Sequence, residues 1–145
     1  MEELISEMKI TLASVFALYL KTHAFHWNVE GPNFPQYHEF LGDLWVEIFG
    51  SVDPIAEELR TLRSYAPGSF TRYMDLSLVK DELNIPSPMI MFNKLLDDNI
   101  IVIEQLKKTQ ILAENENAVG LANFLQDRID KHYKHDWMIR SITKV

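Results

Sequence analysis

A chain of 145 residues, 47% hydrophobic and 24% charged, suits one domain (1–145) with a sizeable core and an ordinary globular composition. No apolar run approaches the roughly 18 residues that cross a bilayer, and the acidic start Met-Glu-Glu-Leu-Ile is unlike a secretory signal, so a cytoplasmic protein with no membrane role is expected. The absence of cysteine excludes disulfides, thiolate metal sites and cysteine nucleophiles. A net charge of -7 without a basic patch argues against a body built to bind nucleic acid and suits attraction of cations.

Glycine and proline fall where helices would break. Over residues 2 to 27, Leu4, Met8, Leu12, Val15 and Tyr19 recur at steps of three and four, the period of a one-sided helix. Gly31-Pro32-Asn33-Phe34-Pro35 is a turn short enough to require an antiparallel return, and a second helix is predicted from about 36 to 63. Residues 64 to 87 read as an irregular crossover with a short helix near Thr71 to Ser77. Ser87-Pro88 is a start signal for a third helix, with proline at its first position, that turns Phe92, Leu95, Leu96, Asn99, Val102, Ile103 and Leu106 inward. Glu114-Asn115-Glu116-Asn117 breaks it, and the fourth helix carries Leu121, Leu125, Ile129, Tyr133 and Trp137 at every fourth position. Short, long and short connections describe an all-α, ferritin-like four-helix bundle whose long crossover carries a short helix between helices two and three.

The residues with metal chemistry are His26, His38, Asp53 and Glu57. Asp53 and Glu57 are four apart and share a helix face, and imidazole with carboxylate is a ligand set suited to iron among other divalent metals. Acidic pairs of this spacing also occur on solvated faces, and single histidines commonly have plain polar partners. His38 and Asp53 lie about 60° apart around one helix but roughly 22 Å apart along it, so one chain cannot bring them to one ion. His26 and His38 share one end, across the turn, and the carboxylates sit toward the other. A two-fold axis laying the second helix antiparallel to its copy would join one chain's histidines to its partner's carboxylates, giving two equivalent sites per dimer.

The segment Lys21-Thr22-His23-Ala24-Phe25-His26-Trp27-Asn28-Val29-Glu30-Gly31-Pro32-Asn33-Phe34, with Tyr37-His38-Glu39 and Val52-Asp53-Pro54-Ile55-Ala56-Glu57, resembles the signature of the Dps family of mini-ferritins. Trp137-Met138-Ile139-Arg140 extends the likeness to the end of the fourth helix. The resemblance implies a homo-dodecameric shell with ferroxidase sites at two-fold interfaces. Fe(II) would be oxidised there by hydrogen peroxide or oxygen and stored inside as ferric mineral. His26 and His38 would serve from one subunit, and Asp53 and Glu57 from its partner. Trp27 is a candidate redox neighbour of the iron, or an aromatic packed at the dimer contact, and His23 has a supporting or capping part.

Three positions depart from the family pattern. Gly42 stands where an aspartate is usual, with Asp43 rotated by about 100° away from that face. Pro54 follows Asp53 inside the predicted second helix; the alternative is that Gly50-Ser51 ends one helix and Asp53 caps the next. Asn123 replaces an aspartate near the three-fold pores, leaving Asp127 and Asp130 as candidates on the route by which iron enters, or as plain surface acids.

His132, His135 and Asp136 have the spacing of a surface chelate but read better as a solvated polar face. Arg128, Lys131, Lys134, Arg140 and Lys144 give the last helix a mildly basic side. DNA binding is disfavoured, because a Lys-rich tail of many phosphate contacts is missing. Two rival readings are a non-catalytic, DNA-compacting shell with a degraded iron site, and a bundle that assembles as a scaffold without metal.

Overall fold

A computed structural model describes residues 1–144. Its helices are α1 (Glu2–Asn28), α2 (Phe34–Gly50), α3 (Val52–Thr61), α4 (Phe70–Leu76), α5 (Pro88–Asn115) and α6 (Val119–Thr143), with no strand among the described residues. The pair α2–α3 forms one rod of a four-helix bundle and α1, α5 and α6 the other three, while α4 sits in the crossover against α1. The expected all-α bundle with a helix in its long connection is the architecture found.

The core follows from the helical period. Leu4, Met8, Leu12, Val15, Leu18 and Phe25 bury one stripe of α1, and Phe92, Leu95, Val102, Leu106 and Ala113 one stripe of α5. Each large apolar side chain moved from water contributes about 1.5–3 kcal/mol. Polar pairs cross the same seam: Thr11 and Thr109 hydroxyls meet at 3.0 Å, and Lys21 on α1 donates to Asp98 on α5 at 2.7 Å.

Breaks fall where the chemistry of turns demands. Gly31 takes a φ of +120°, which only glycine adopts cheaply, and lets α2 return beside α1. Ser87 precedes α5 and Pro88 opens it, where a missing N–H costs nothing, although the serine hydroxyl does not cap. The short helix α4 is capped by Ser69, whose hydroxyl accepts from the Arg72 N–H at 3.3 Å.

Two expectations need correction. The second helix is not continuous from 36 to 63: it is two helices that meet at Ser51. Pro54 has no N–H to return to the preceding turn, so the ladder lapses there. The Ser51 N–H and hydroxyl both turn back to the Ile48 carbonyl, at 3.1 and 2.6 Å, and the Ser51 carbonyl restarts the ladder with Ile55 N–H at 3.1 Å. Asp53 is therefore in the first turn of α3 and is not its cap, a place taken by Ser51. The other correction concerns α6. Its every-fourth stripe leaves the core, with Tyr133 47% and Trp137 60% exposed, because steps of four overrun a 3.6-residue turn by about 40° each.

Candidate metal centre

His26, near the end of α1, and His38, in the second turn of α2, stack face to face across the connecting turn with ring centroids 3.9 Å apart. Each clasps the other's backbone: His26 Nδ1 donates to the His38 carbonyl at 2.7 Å, and His38 Nδ1 to the His26 carbonyl at 2.7 Å. A carbonyl can only accept, so both protons are held at Nδ1 and both Nε2 lone pairs are bare. An imidazole whose Nδ1–H is held by a backbone carbonyl is the form that ligates a metal through Nε2.

Gly42 explains how the pair fits. A Cβ built there would lie 3.0 Å from His26 Cε1 and 3.2 Å from its Nδ1. The imidazole covers the glycine, and an aspartate in its place would have to move the ring. Asp43, as expected, stands exposed on a different face.

Behind His26 runs an aromatic file. His23 stacks on Trp45 at 3.8 Å, lies 4.1 Å from Trp27, and accepts or donates through Nδ1 to the Tyr19 hydroxyl at 3.0 Å. Burial, then the nearby charge of His26, hold the His23 imidazole below its ordinary range. His23 thus supports the region through packing. Trp27 is 59% exposed on the subunit surface beside it.

Asp53 and Glu57 occupy one exposed face of α3. Sharing a hydrogen bond with Asp53, and then repulsion from its charge, raise the Glu57 carboxyl above the usual carboxylate range. Two like charges on neighbouring turns of one exposed face repel, and a cation bound between them would relieve that repulsion. Among the described residues, no three histidine, aspartate or glutamate side chains of the single chain converge on a metal position. The imidazole half and the carboxylate half stay separate within one subunit.

The bundle interior contains what sequence reasoning missed. His132 and His135 are not a solvated face: they are 0% and 4% exposed. Arg128 is buried too, so it does not belong to a basic surface. Its guanidinium makes a bidentate pair with Glu47 of α2, at 2.7 and 2.8 Å, and donates to His132 Nε2 at 3.2 Å. His135 Nε2 meets Glu47 at 3.1 Å, and His132 Nδ1 donates to Asn99 of α5 at 2.7 Å. Burial alone would raise the Glu47 carboxyl, but hydrogen bonds from His135 and Arg128 outweigh it and hold it well below its usual range. Burial, with the charges of His135 and Arg128, keeps His132 neutral. The signal was available in the spacing: Arg128, His132, His135 and Ile139 step by four, three and four, which tracks the true helical period.

The other outward residues are plain. Asp127, Asp130 and Asn123 are exposed, with Asp130 paired to Lys134 at 3.5 Å, and Asp136 is paired to Arg140 at 2.7 Å. Two cations of the supposed basic side are thereby neutralised.

The sequence model of the ferritin-like domain matches residues 6–145. The chain is 31% identical to a low temperature-induced protein of Nostoc sp., over 90% of its own length and 74% of that protein's. It is 28% identical to the DNA protection during starvation protein of Brevibacillus brevis, over 90% and 87% of the two chains. Its fold superposes on the crystal structure of Dps from Staphylococcus aureus with a TM-score of 0.95 at 26% identity, covering 100% and 97% of the two chains.

Proposed function

Because the chain belongs to the ferritin-like domain family, and within it to the Dps proteins, we propose that it is a cytoplasmic ferroxidase and iron store that assembles from twelve copies of itself. The observation that carries the proposal is the reciprocal clasp of His26 and His38, which leaves two Nε2 lone pairs side by side with their protons held elsewhere. Fe(II) is the substrate. One subunit supplies His26 and His38, and the partner subunit's Asp53 and Glu57 supply negative charge. Such a site has the mixed nitrogen and oxygen donors suited to iron.

Two Fe(II) ions bound together give one electron each to hydrogen peroxide, which with two protons leaves as two waters. Dioxygen is the alternative oxidant. Fe(III) then hydrolyses and moves to the inner surface. Pairing the electrons avoids the hydroxyl radical that one-electron reduction of peroxide releases, and the oxidisable ring of Trp27, next in sequence to His26, is proposed to intercept any that escapes. Gly42 supplies no carboxylate, so the second iron relies on His38 and water. Asp127 and Asp130 are proposed to draw iron toward the interior.

DNA is not part of the proposed function. Arg128 is buried, and Lys134 and Arg140 are paired with neighbouring acids, so the body presents little to a phosphate backbone. Anaerobic Fe(II) titration of the assembled protein followed by peroxide tests the proposal. About two irons per subunit and rapid oxidation are expected, with both lost in Glu57→Ala; intact oxidation in that variant would refute it.

A further inference from the structure

Tyr19, His23 and Trp27 stand at steps of four on α1, and Trp45 and Phe49 repeat the step on α2, so their rings share the seam between the two helices. They form a continuous file. The Trp27 ring lies 4.1 Å from the His23 imidazole, which stacks on Trp45 at 3.8 Å with the planes 11° apart. The Tyr19 ring follows, its centroid 5.9 Å from that of Trp45 and 5.6 Å from that of His23. The Tyr19 hydroxyl meets His23 Nδ1 at 3.0 Å.

The two ends of the file differ. Trp27 is 59% exposed and next in sequence to His26. Tyr19, two helical turns or about 12 Å back along α1, is half-buried, with Phe49 at 4.6 Å and Phe16 at 5.6 Å. Phenylalanine is far harder to oxidise than tyrosine, so oxidation halts at the phenol. A phenol yields an electron readily only when its proton leaves too, and the imidazole is a base already in reach of that proton.

We propose that Trp27, His23, Trp45 and Tyr19 form a relay that carries a one-electron oxidation from the exposed indole to the sheltered phenol. A radical oxidant such as hydroxyl takes one electron from Trp27 and becomes hydroxide. The indole refills from Tyr19 by way of Trp45 and the His23 ring. As that electron leaves, the phenolic O–H bond breaks and an N–H bond forms at His23 Nδ1, leaving a neutral phenoxyl radical beside an imidazolium. Oxidising power is thereby drawn away from the rings of His26 and His38. The source of the radical in a cell rests on the ferroxidase proposal. The relay itself does not, and its test uses no metal, so its failure would leave that proposal standing.

Azidyl radical, made by pulse radiolysis of azide, oxidises tryptophan in preference to tyrosine. The assembled, metal-free Trp137→Phe protein keeps only the two tryptophans of the file. Its tryptophanyl absorption should decay as tyrosyl absorption grows, at a rate independent of protein concentration. Tyr19→Phe in that background should abolish the growth. His23→Gln, whose amide cannot hold the proton, should slow it on the order of 100-fold. Unchanged growth in either variant, or a rate proportional to protein concentration, overturns the relay. Should His23→Gln fail to fold, the radical frozen in the Trp137→Phe protein decides. Electron–nuclear double resonance should find an imidazole nitrogen coupled across the hydrogen bond, and a tyrosyl radical without that coupling overturns the proposal.

Discussion

At the scale of single residues, the candidate site depends on the two histidines being fixed before any ion arrives. The clasp achieves this with groups the helices leave over. The His26 carbonyl is one of the last four of α1, which have no intrahelical partner, and the His38 ring satisfies it. His26, Gly42 and His38 thus form one unit, and a methyl group at Gly42 should disturb it. Gly42→Ala brings a carbon to 3.0 Å from His26 Cε1, while the ring is pinned by its bond to His38. Fe(II) affinity should fall roughly tenfold, about 1.4 kcal/mol, with the fold intact by circular dichroism; isothermal titration of wild-type and variant makes the comparison. The identities and spacing of the four candidate ligands were legible in the sequence. The tautomers were not, because they depend on which carbonyls the turn brings opposite each ring.

At the scale of elements, the break at Ser51 changes what Pro54 means. Inside a continuous helix, proline costs about 3 kcal/mol, but in the first turn its missing N–H is nearly free. Pro54→Ala should accordingly shift the unfolding free energy of the metal-free protein by less than about 1 kcal/mol in denaturant titration; a gain near 3 would mean that α2 and α3 are a strained single helix. In α6 the pattern misleads in the opposite sense: the every-fourth stripe of Leu, Ile, Tyr and Trp has the spacing of a buried face, and the charged and histidine positions have the composition of a wet one. Only the first half of that stripe is buried. Further along, the inward direction has rotated onto Arg128, His132 and His135, whose polarity hid them. Composition favours calling such residues exposed, and their partners Glu47 and Asn99 come from other helices that a linear reading does not bring together.

That buried network makes the bundle sensitive to acid in a defined window. His132 is held neutral in the folded protein, whereas the unfolded chain protonates it below about pH 6.5. The unfolded state then binds more protons, so stability falls as pH drops through that range, by at most about 1.4 kcal/mol per pH unit. Glu47, held ionised in the fold, adds a loss of the same sign below its ordinary value of 4.5. Denaturant unfolding at pH 7.5 and 5.5 should show the decline, and His132→Gln should flatten it. An equal decline in that variant would assign the effect elsewhere.

At the scale of the whole molecule, one subunit leaves much apolar surface uncovered. Trp27, Phe34, Val46 and Phe49 are 41–59% exposed on α1 and α2. Between α1 and α4 lies a groove of about 470 Å³ lined by Phe16, Leu20, Phe70, Tyr73 and Met74. No helix among the described residues is long and apolar enough to cross a membrane, so lipid spanned by a helix is not what covers these faces. Exposed patches of this kind mark protein contacts. Phe49→Glu should lower the assembly state in sedimentation velocity and abolish Fe(II) binding together with it, since the proposed site draws on two chains. Loss of assembly with iron binding retained would disprove the shared site.

The mutual grip of the two histidines also bears on how the protein could be emptied and reused. Both Nδ1–carbonyl bonds lie on the far side of each ring from Nε2, so nothing bound at Nε2 has to be traded against them. An occupant could leave while the two rings keep their posture, and the next would meet a docking place that never had to be rebuilt.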